Sequence, residues 1–179
     1  MGVMEDVKKL REFTSLGIMD CKKALEEAEG DFHKALDLLK AKGIQIAQKK
    51  SQRTVKEGVI EAYVHLGSKI GSMIELSCET DFVARTDEVK KFARDICMQV
   101  AATDPLYVKR EDVPPETVHK YIEETGETEE DFYRKHCLLE QEFIKDVSLT
   151  VQDYLTALVS KVGENILIKK FVRFEVGKD

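Results

Sequence analysis

The stretch Gly58-Val59-Ile60-Glu61-Ala62-Tyr63-Val64-His65-Leu66, then Gly67-Ser68-Lys69, then Met73-Ile74-Glu75-Leu76-Ser77-Cys78, changes the period of the sequence from helical to alternating. Ile60, Ala62, Val64 and Leu66 alternate with Glu61, Tyr63 and His65, which predicts a half-buried strand. Gly67-Ser68-Lys69 supplies a turn, and Ile74, Leu76 and Cys78 face away from Met73 and Glu75 on a second strand. Together they predict an antiparallel hairpin.

Upstream, the sequence reads as helix. Val7, Leu10 and Leu16, with Phe13 between, form a short apolar stripe that Gly17 interrupts. Asp20 is placed to N-cap a second helix carrying Ala24, Leu25 and Ala28, with Gly30 at its C′ position. Asp31 caps a third helix with Ala35, Leu36, Leu38 and Leu39, which Gly43 is expected to close. Three helices of this size bury little surface, which suits a docking module better than an enzyme. The boundaries expected are a head over 1–43, a basic linker helix over 44–57 carrying Lys49, Lys50, Arg53 and Lys56, and a core over 58–179.

Downstream, Val89, Phe92, Ala93, Ile96 and Val100 predict a helix from about Asp87 that ends before Asp104-Pro105, because a residue preceding proline leaves the α region. Val113-Pro114-Pro115 opens two short helices, about 116–124 and 128–140, joined at Thr125-Gly126. A further helix carries Val151, Leu155, Leu158, Val159 and Val162 and stops at Gly163. A last strand alternates through Ile166, Ile168, Val172, Phe174 and Val176, with Lys169-Lys170 at a bulge or edge. The fold class is α+β: a small three-stranded antiparallel sheet packed with helices, following a helical head. One face of so small a sheet is left in need of a second layer.

Charge and composition narrow the function. The formal charge is −6, and a general nucleic-acid binder would need a basic face instead. Twelve acids against six bases fall in residues 109–146, a short helical insertion whose acids suit either a solvated surface or a basic partner. No apolar run reaches the roughly 20 residues of a membrane helix. The cysteines, Cys21, Cys78, Cys97 and Cys137, are too scattered for a disulfide framework, so a cytoplasmic protein is expected. No phosphate loop, dinucleotide fingerprint, H-E-x-x-H or C-x-x-C occurs, and neither cofactor nor metal is expected. His136-Cys137 is read as a packed thiol beside a histidine, with a nucleophile as the rival reading. His33, His65 and His119 stand isolated.

Cys78-Glu79-Thr80-Asp81-Phe82-Val83-Ala84-Arg85 breaks the local logic, because a connection should be polar and this one carries an aromatic. On pattern alone Phe82 tucks under the sheet. The alternative is an exposed apolar anchor flanked by charge, which marks an interaction hot spot.

These residues resemble the elongation factor Ts family. Thr80-Asp81-Phe82-Val83-Ala84-Arg85 is similar to its T-D-F-V-A signature, and Thr14 through Leu25 (T-S-L-G-I-M-D-C-K-K-A-L) to its T-G-A-G-M-M-D-C-K-K-A-L. Leu138-Leu139-Glu140-Gln141-Glu142-Phe143-Ile144-Lys145-Asp146 is similar to L-L-E-Q-P-F-V-K-D, and Lys161 to Ile166 with Arg173-Phe174-Glu175 match its last strand region. The departures are Ser15 and Leu16 for Gly-Ala, Ile18 for methionine, and Glu142 where proline is common.

The resemblance implies a guanine-nucleotide exchange factor for elongation factor Tu, without covalent chemistry. It implies a ubiquitin-associated-like head that docks on the partner's nucleotide domain through Leu10, Arg11, Gly17, Ile18, Met19, Asp20, Lys22 and Lys23. Phe82 becomes a wedge beside the partner's magnesium and phosphates, with Asp81 its polar neighbour and Thr80, Val83, Ala84 and Arg85 completing the turn. The family's long helical insertion is here shortened, and its longer members carry two core subdomains where this chain has strands for one. A second copy, in a two-fold dimer through the core sheet, is the expected missing layer. An adaptor binding ubiquitin-like folds through the head alone is the rival class, and it leaves the Phe82 turn unexplained.

Overall fold

The computed structural model describes residues 3–14 and 16–178, and apolar residues three and four apart fold its N-terminal part into helices. These helices are α1 (Val3–Thr14), α2 (Ile18–Glu27) and α3 (Phe32–Ser51). Val7, Leu10, Leu16, Cys21, Ala24, Leu25, Ala35 and Leu39 form their shared core. Gly17, not Asp20, caps α2: its carbonyl accepts from the Asp20 and Cys21 amides, which puts Asp20 inside the first turn. Asp31 caps α3 as expected, accepting from the His33 and Lys34 amides. Those amides, Lys34's foremost, hold its carboxyl below the ordinary range. Gly30 takes φ +85° and its amide reaches the Leu25 carbonyl, so the chain turns where a C′ glycine was expected.

Gly43 does not close the third helix, which runs on to Ser51. Gly43 is buried, and a Cβ there would meet Thr156 Cγ2 at 3.6 Å and Ser160 Oγ at 3.7 Å. Glycine marks a close approach here rather than a stop. The basic stretch begins as the continuation of α3, and only its last residues leave the helix. Ser15, one of the departures noted above, lies outside the described residues. The chain divides into two compact units, 1–54 with 155–166, and 55–154 with 167–179.

The second unit is built on the hairpin. β1 (Glu57–Val64) and β2 (Ile70–Cys78) pair antiparallel, with Ile60 opposite Glu75 and Ala62 opposite Met73. A single helical turn, α4 (Asp81–Ala84), and a long helix, α5 (Asp87–Thr103), follow. Val89, Phe92, Ala93, Ile96 and Val100 of α5 are buried, and the helix ends at Asp104, in the left-handed region before Pro105. Next come α6 (Pro115–Thr125) and α7 (Glu129–His136), joined through Gly126 at φ +71°. The helix expected over 128–140 thus stops at His136, and Leu138–Glu140 tightens into a 3-10 turn.

A second sheet, the hairpin of β3 (Glu142–Phe143) and β4 (Asp146–Thr150), follows where no strand was expected. The last elements are α8 (Val151–Val162) and β5 (Ile166–Glu175), and the main sheet has the order β1-β2-β5. The Val176 amide donates to the Lys69 carbonyl and Lys170 reaches Glu75, contacts that advance in opposite directions, as an antiparallel neighbour requires. β5 is an edge strand, where Lys169-Lys170 was expected to lie.

Helix α5 covers one face of the sheet. Ser72 Oγ donates to the Cys97 carbonyl at 2.6 Å, and the Arg94 guanidinium donates to the Ala62 carbonyl at 2.7 Å while stacking on Tyr63. Ile74, Leu76 and Cys78 are buried on this side. The strand β1 is inverted relative to expectation. Glu61 and Tyr63 lie on the covered face, while Ile60 and Val64 are 68% and 63% exposed. Met73, Val172, Phe174 and Val176 are exposed as well.

Within the insertion, Glu130 and Glu140 share one arginine, Glu124 faces Lys120 and Glu127 faces Lys135. Arg110 forms paired 2.8 Å bonds to both Glu130 and Glu140 and lies over the Tyr133 ring, which raises its pKa through Glu140 first and Glu130 second.

Candidate partner-binding site

The turn between the hairpin and α5 is fixed by two consecutive threonine caps. Thr80 Oγ1 accepts from the Val83 amide, and Thr86 Oγ1 accepts from the Val89 amide at the start of α5. Inside the turn, the Ala84 amide donates to the Thr80 carbonyl and the Arg85 amide to the Asp81 carbonyl, both at 3.2 Å. The Cys78 thiol donates to the Thr80 carbonyl at 3.1 Å, tying the turn to the end of β2. Ala84 is buried and anchors the inner side. With the inner side and both ends held, Phe82 faces outward.

Phe82 is 81% exposed. The reading that tucks it under the sheet is therefore overturned. Leaving a phenylalanine in water forgoes roughly 1.5–3 kcal/mol of burial. Beside it the half-exposed Asp81 carboxylate pairs at 2.9 Å with the largely solvated Arg85 guanidinium. The turn thus presents an aromatic flanked by a matched charge pair.

The residues expected for head docking fall into two groups. Gly17, Ile18 and Met19 open α2 at the surface, and Arg11, Lys22 and Lys23 are exposed too. Asp20 is engaged by Lys42 at 2.6 Å. Leu10, by contrast, is fully buried in the head's core and presents nothing to a partner. Sequence reading missed Phe13, which is 56% exposed and packs edge-on against Phe32. Its place between Val7 and Leu16 put it on the apolar stripe, and only the helix's phase separates it.

The thiol reading is settled by burial. Cys137 is fully buried with its pKa pushed up to about 11, by burial first and then by Glu140. Burial also lowers the pKa of His136, so the pair is a packed thiol beside a neutral imidazole, opposite to an activated nucleophile. No helix among the described residues is long and apolar enough to cross a membrane.

An outward aromatic on a doubly capped turn, joined in one chain to a small helical head with apolar residues at its surface, defines a two-part binding protein. Comparison with known proteins gives the class a family. The family model described as Elongation factor TS matches residues 8–178. The chain is 51% identical over 190 aligned positions to elongation factor Ts of Carboxydothermus hydrogenoformans, covering 96% of this chain and 88% of the relative. It is 48% identical to elongation factor Ts of Thermotoga maritima, covering 98% and 96%. The chain belongs to the elongation factor Ts family, a family of translation elongation factors. Alignment over 190 positions against a chain of 179 residues means that the relative carries residues absent here.

Proposed function

We propose that this protein binds elongation factor Tu in the cytoplasm and promotes release of its GDP, so that GTP can enter. The observation that carries the reading is Phe82, exposed on a capped turn within the family signature Thr80–Arg85. No bond is made or broken in such a reaction. Whatever factor this protein removes from the partner's affinity for GDP, GDP removes from the partner's affinity for this protein. A rigid apolar wedge suits the task because magnesium and a phosphate loop demand near-ideal geometry, and displacing either weakens nucleotide steeply. Each 1.4 kcal/mol or so directed against GDP speeds release about tenfold when association is unchanged.

The head, 1–43, is the second contact, through the exposed residues at the start of α2 together with Arg11, Lys22 and Lys23. The core sheet is the third element: its uncovered face, with Ile60, Val64 and Phe174 exposed, suits a second copy of the chain in a two-fold dimer. Purification with elongation factor Tu followed by a labelled-GDP release assay tests the reading. Faster release at catalytic amounts of this protein is expected. An unchanged release rate at saturating protein would sink it.

A further inference from the structure

The uncovered sheet face is largely apolar and carries one charged feature. Of the strand residues pointing to that side, Ile60, Ala62 and Val64 on β1, Met73, Glu75 and Ser77 on β2, and Lys170, Val172 and Phe174 on β5, only Glu75 and Lys170 are charged. They are joined, with Lys170 Nζ 3.1 Å from Glu75 Oε2. Glu75 lies opposite Ile60, and the pair borders a shallow groove lined also by Met73 and Val172. In a lone chain this is an ordinary surface ion pair, with Lys170 76% and Glu75 33% exposed, and such pairs add little to stability.

We propose that Glu75 and Lys170 are the specificity key of the contact between two copies of this chain, an inference that rests on the dimer reading above. Each face offers one acid and one base side by side, so the face is neutral and self-complementary. A two-fold axis through it sets Lys170 of each copy within reach of Glu75 of the other, making a four-charge cluster of alternating sign. A slipped register, or a foreign apolar face, would bury the same two charges without those partners, and stripping buried charges of partners is costly. The apolar residues supply adhesion and the ion pair supplies rejection of wrong partners.

Charge reversal tests this in the full-length chain. Glu75→Lys carries two bases on the face, and Lys170→Glu carries two acids. Analytical ultracentrifugation is expected to show each variant self-associating at least about tenfold more weakly than the unaltered chain. An equimolar mixture of the two should form heterodimers, seen by native mass spectrometry, and the double variant Glu75→Lys/Lys170→Glu should regain self-association. Thermal unfolding at submicromolar concentration checks that each variant is folded. If Glu75→Lys does not fold, Lys170→Glu carries the self-association test alone, because its side chain is mostly in solvent. Single variants that associate like the unaltered chain, or a mixture that stays unassociated, would overturn the key. An unaltered chain that is monomeric at tens of micromolar overturns the dimer itself, a separate and recognisable outcome.

Discussion

At Phe82 the demands of stability and of the proposed wedge role can be tested apart. Its side chain stands 81% in solvent, so removing it costs the fold little, while the turn that holds it draws on Thr80, Ala84 and Thr86 instead. Phe82→Ala is expected to leave the thermal midpoint within about 1 °C and to slow partner-stimulated GDP release at least about tenfold, the equivalent of about 1.4 kcal/mol. A stopped-flow release rate equal to that of the unaltered protein would remove Phe82 from the wedge role. The neighbouring Asp81–Arg85 pair is solvent-exposed, so Arg85→Ala should change stability by less than about 1 kcal/mol. Its effect on exchange then reports on docking alone. The T-D-F-V-A-R run could be found from the sequence because an aromatic in a short connection is anomalous. Its outward direction could not, since the two threonine caps are local but the burial of Ala84 that aims the turn is a matter of tertiary packing.

The same division runs through the secondary structure elements. Alternation separated the two faces of β1 and β2, but alternation does not say which face a helix will cover. Helix α5 covers the Glu61–Tyr63 side, where Ile74, Leu76 and Cys78 of β2 are buried and Arg94 and Cys97 find carbonyls at 2.7 Å and 3.2 Å, leaving Ile60 and Val64 in solvent. The β3–β4 hairpin left no alternating signal, and its determinants are distant. Gln99 Nε2 donates to the Glu142 carbonyl and its Oε1 accepts from the Ile144 amide, while Lys145 reaches the buried Asp95 carboxylate at 2.6 Å. Tyr154 also donates to Asp95, at 3.0 Å. These contacts give the L-L-E-Q-E-F-I-K-D run a structural meaning, as the strap that fastens this hairpin to α5. Removing the closest cation from a buried carboxylate is costly, and Lys145→Met is expected to destabilise the protein by about 2 kcal/mol, tempered by Tyr154 and Lys91. Gly58 makes a sharper case: a Cβ there would collide with the Leu76 carbonyl oxygen and lie 2.9 Å from Ser77 Cα. Backbone cannot yield as a side chain does, so Gly58→Ala should cost at least about 2 kcal/mol in urea unfolding. A loss below about 0.5 kcal/mol would mean that the hairpin register shifts freely.

Across the whole molecule, the buried thiols of the second unit set an alkaline limit. Cys97 and Cys137 are both pushed up to about 11, by burial first and then by Glu61 and Glu140 respectively, whereas an unfolded thiol titrates near 8.5. The folded state therefore holds these protons more tightly, so the stability they confer is complete below about pH 8.5 and is lost as pH rises through 11. Urea midpoints at pH 7, 9 and 10.5 should fall in that order, and Cys97→Ala should flatten the fall. The first unit bears on a different question, whether the head acts by binding alone. Its core is Val7, Leu10, Leu25 and Leu39, and a cut after residue 43 removes all of these. The cut falls inside α3, and it spares the Ser51 and Arg53 carbonyls that accept from the Asn165 side chain. The second unit keeps its own core, with Phe92 and Phe143 both packed on Tyr154 at 4.8 Å and 4.6 Å between ring centres. Deletion of 1–43 is accordingly expected to weaken binding to elongation factor Tu at least about tenfold, or about 1.4 kcal/mol, while a cooperative unfolding transition and the strand signal persist in far-UV circular dichroism. If that transition vanishes, the head is part of the folding unit and not a separable docking module. If the transition persists and binding is unchanged, the exposed Ile18, Met19 and Phe13 have some purpose other than this partner.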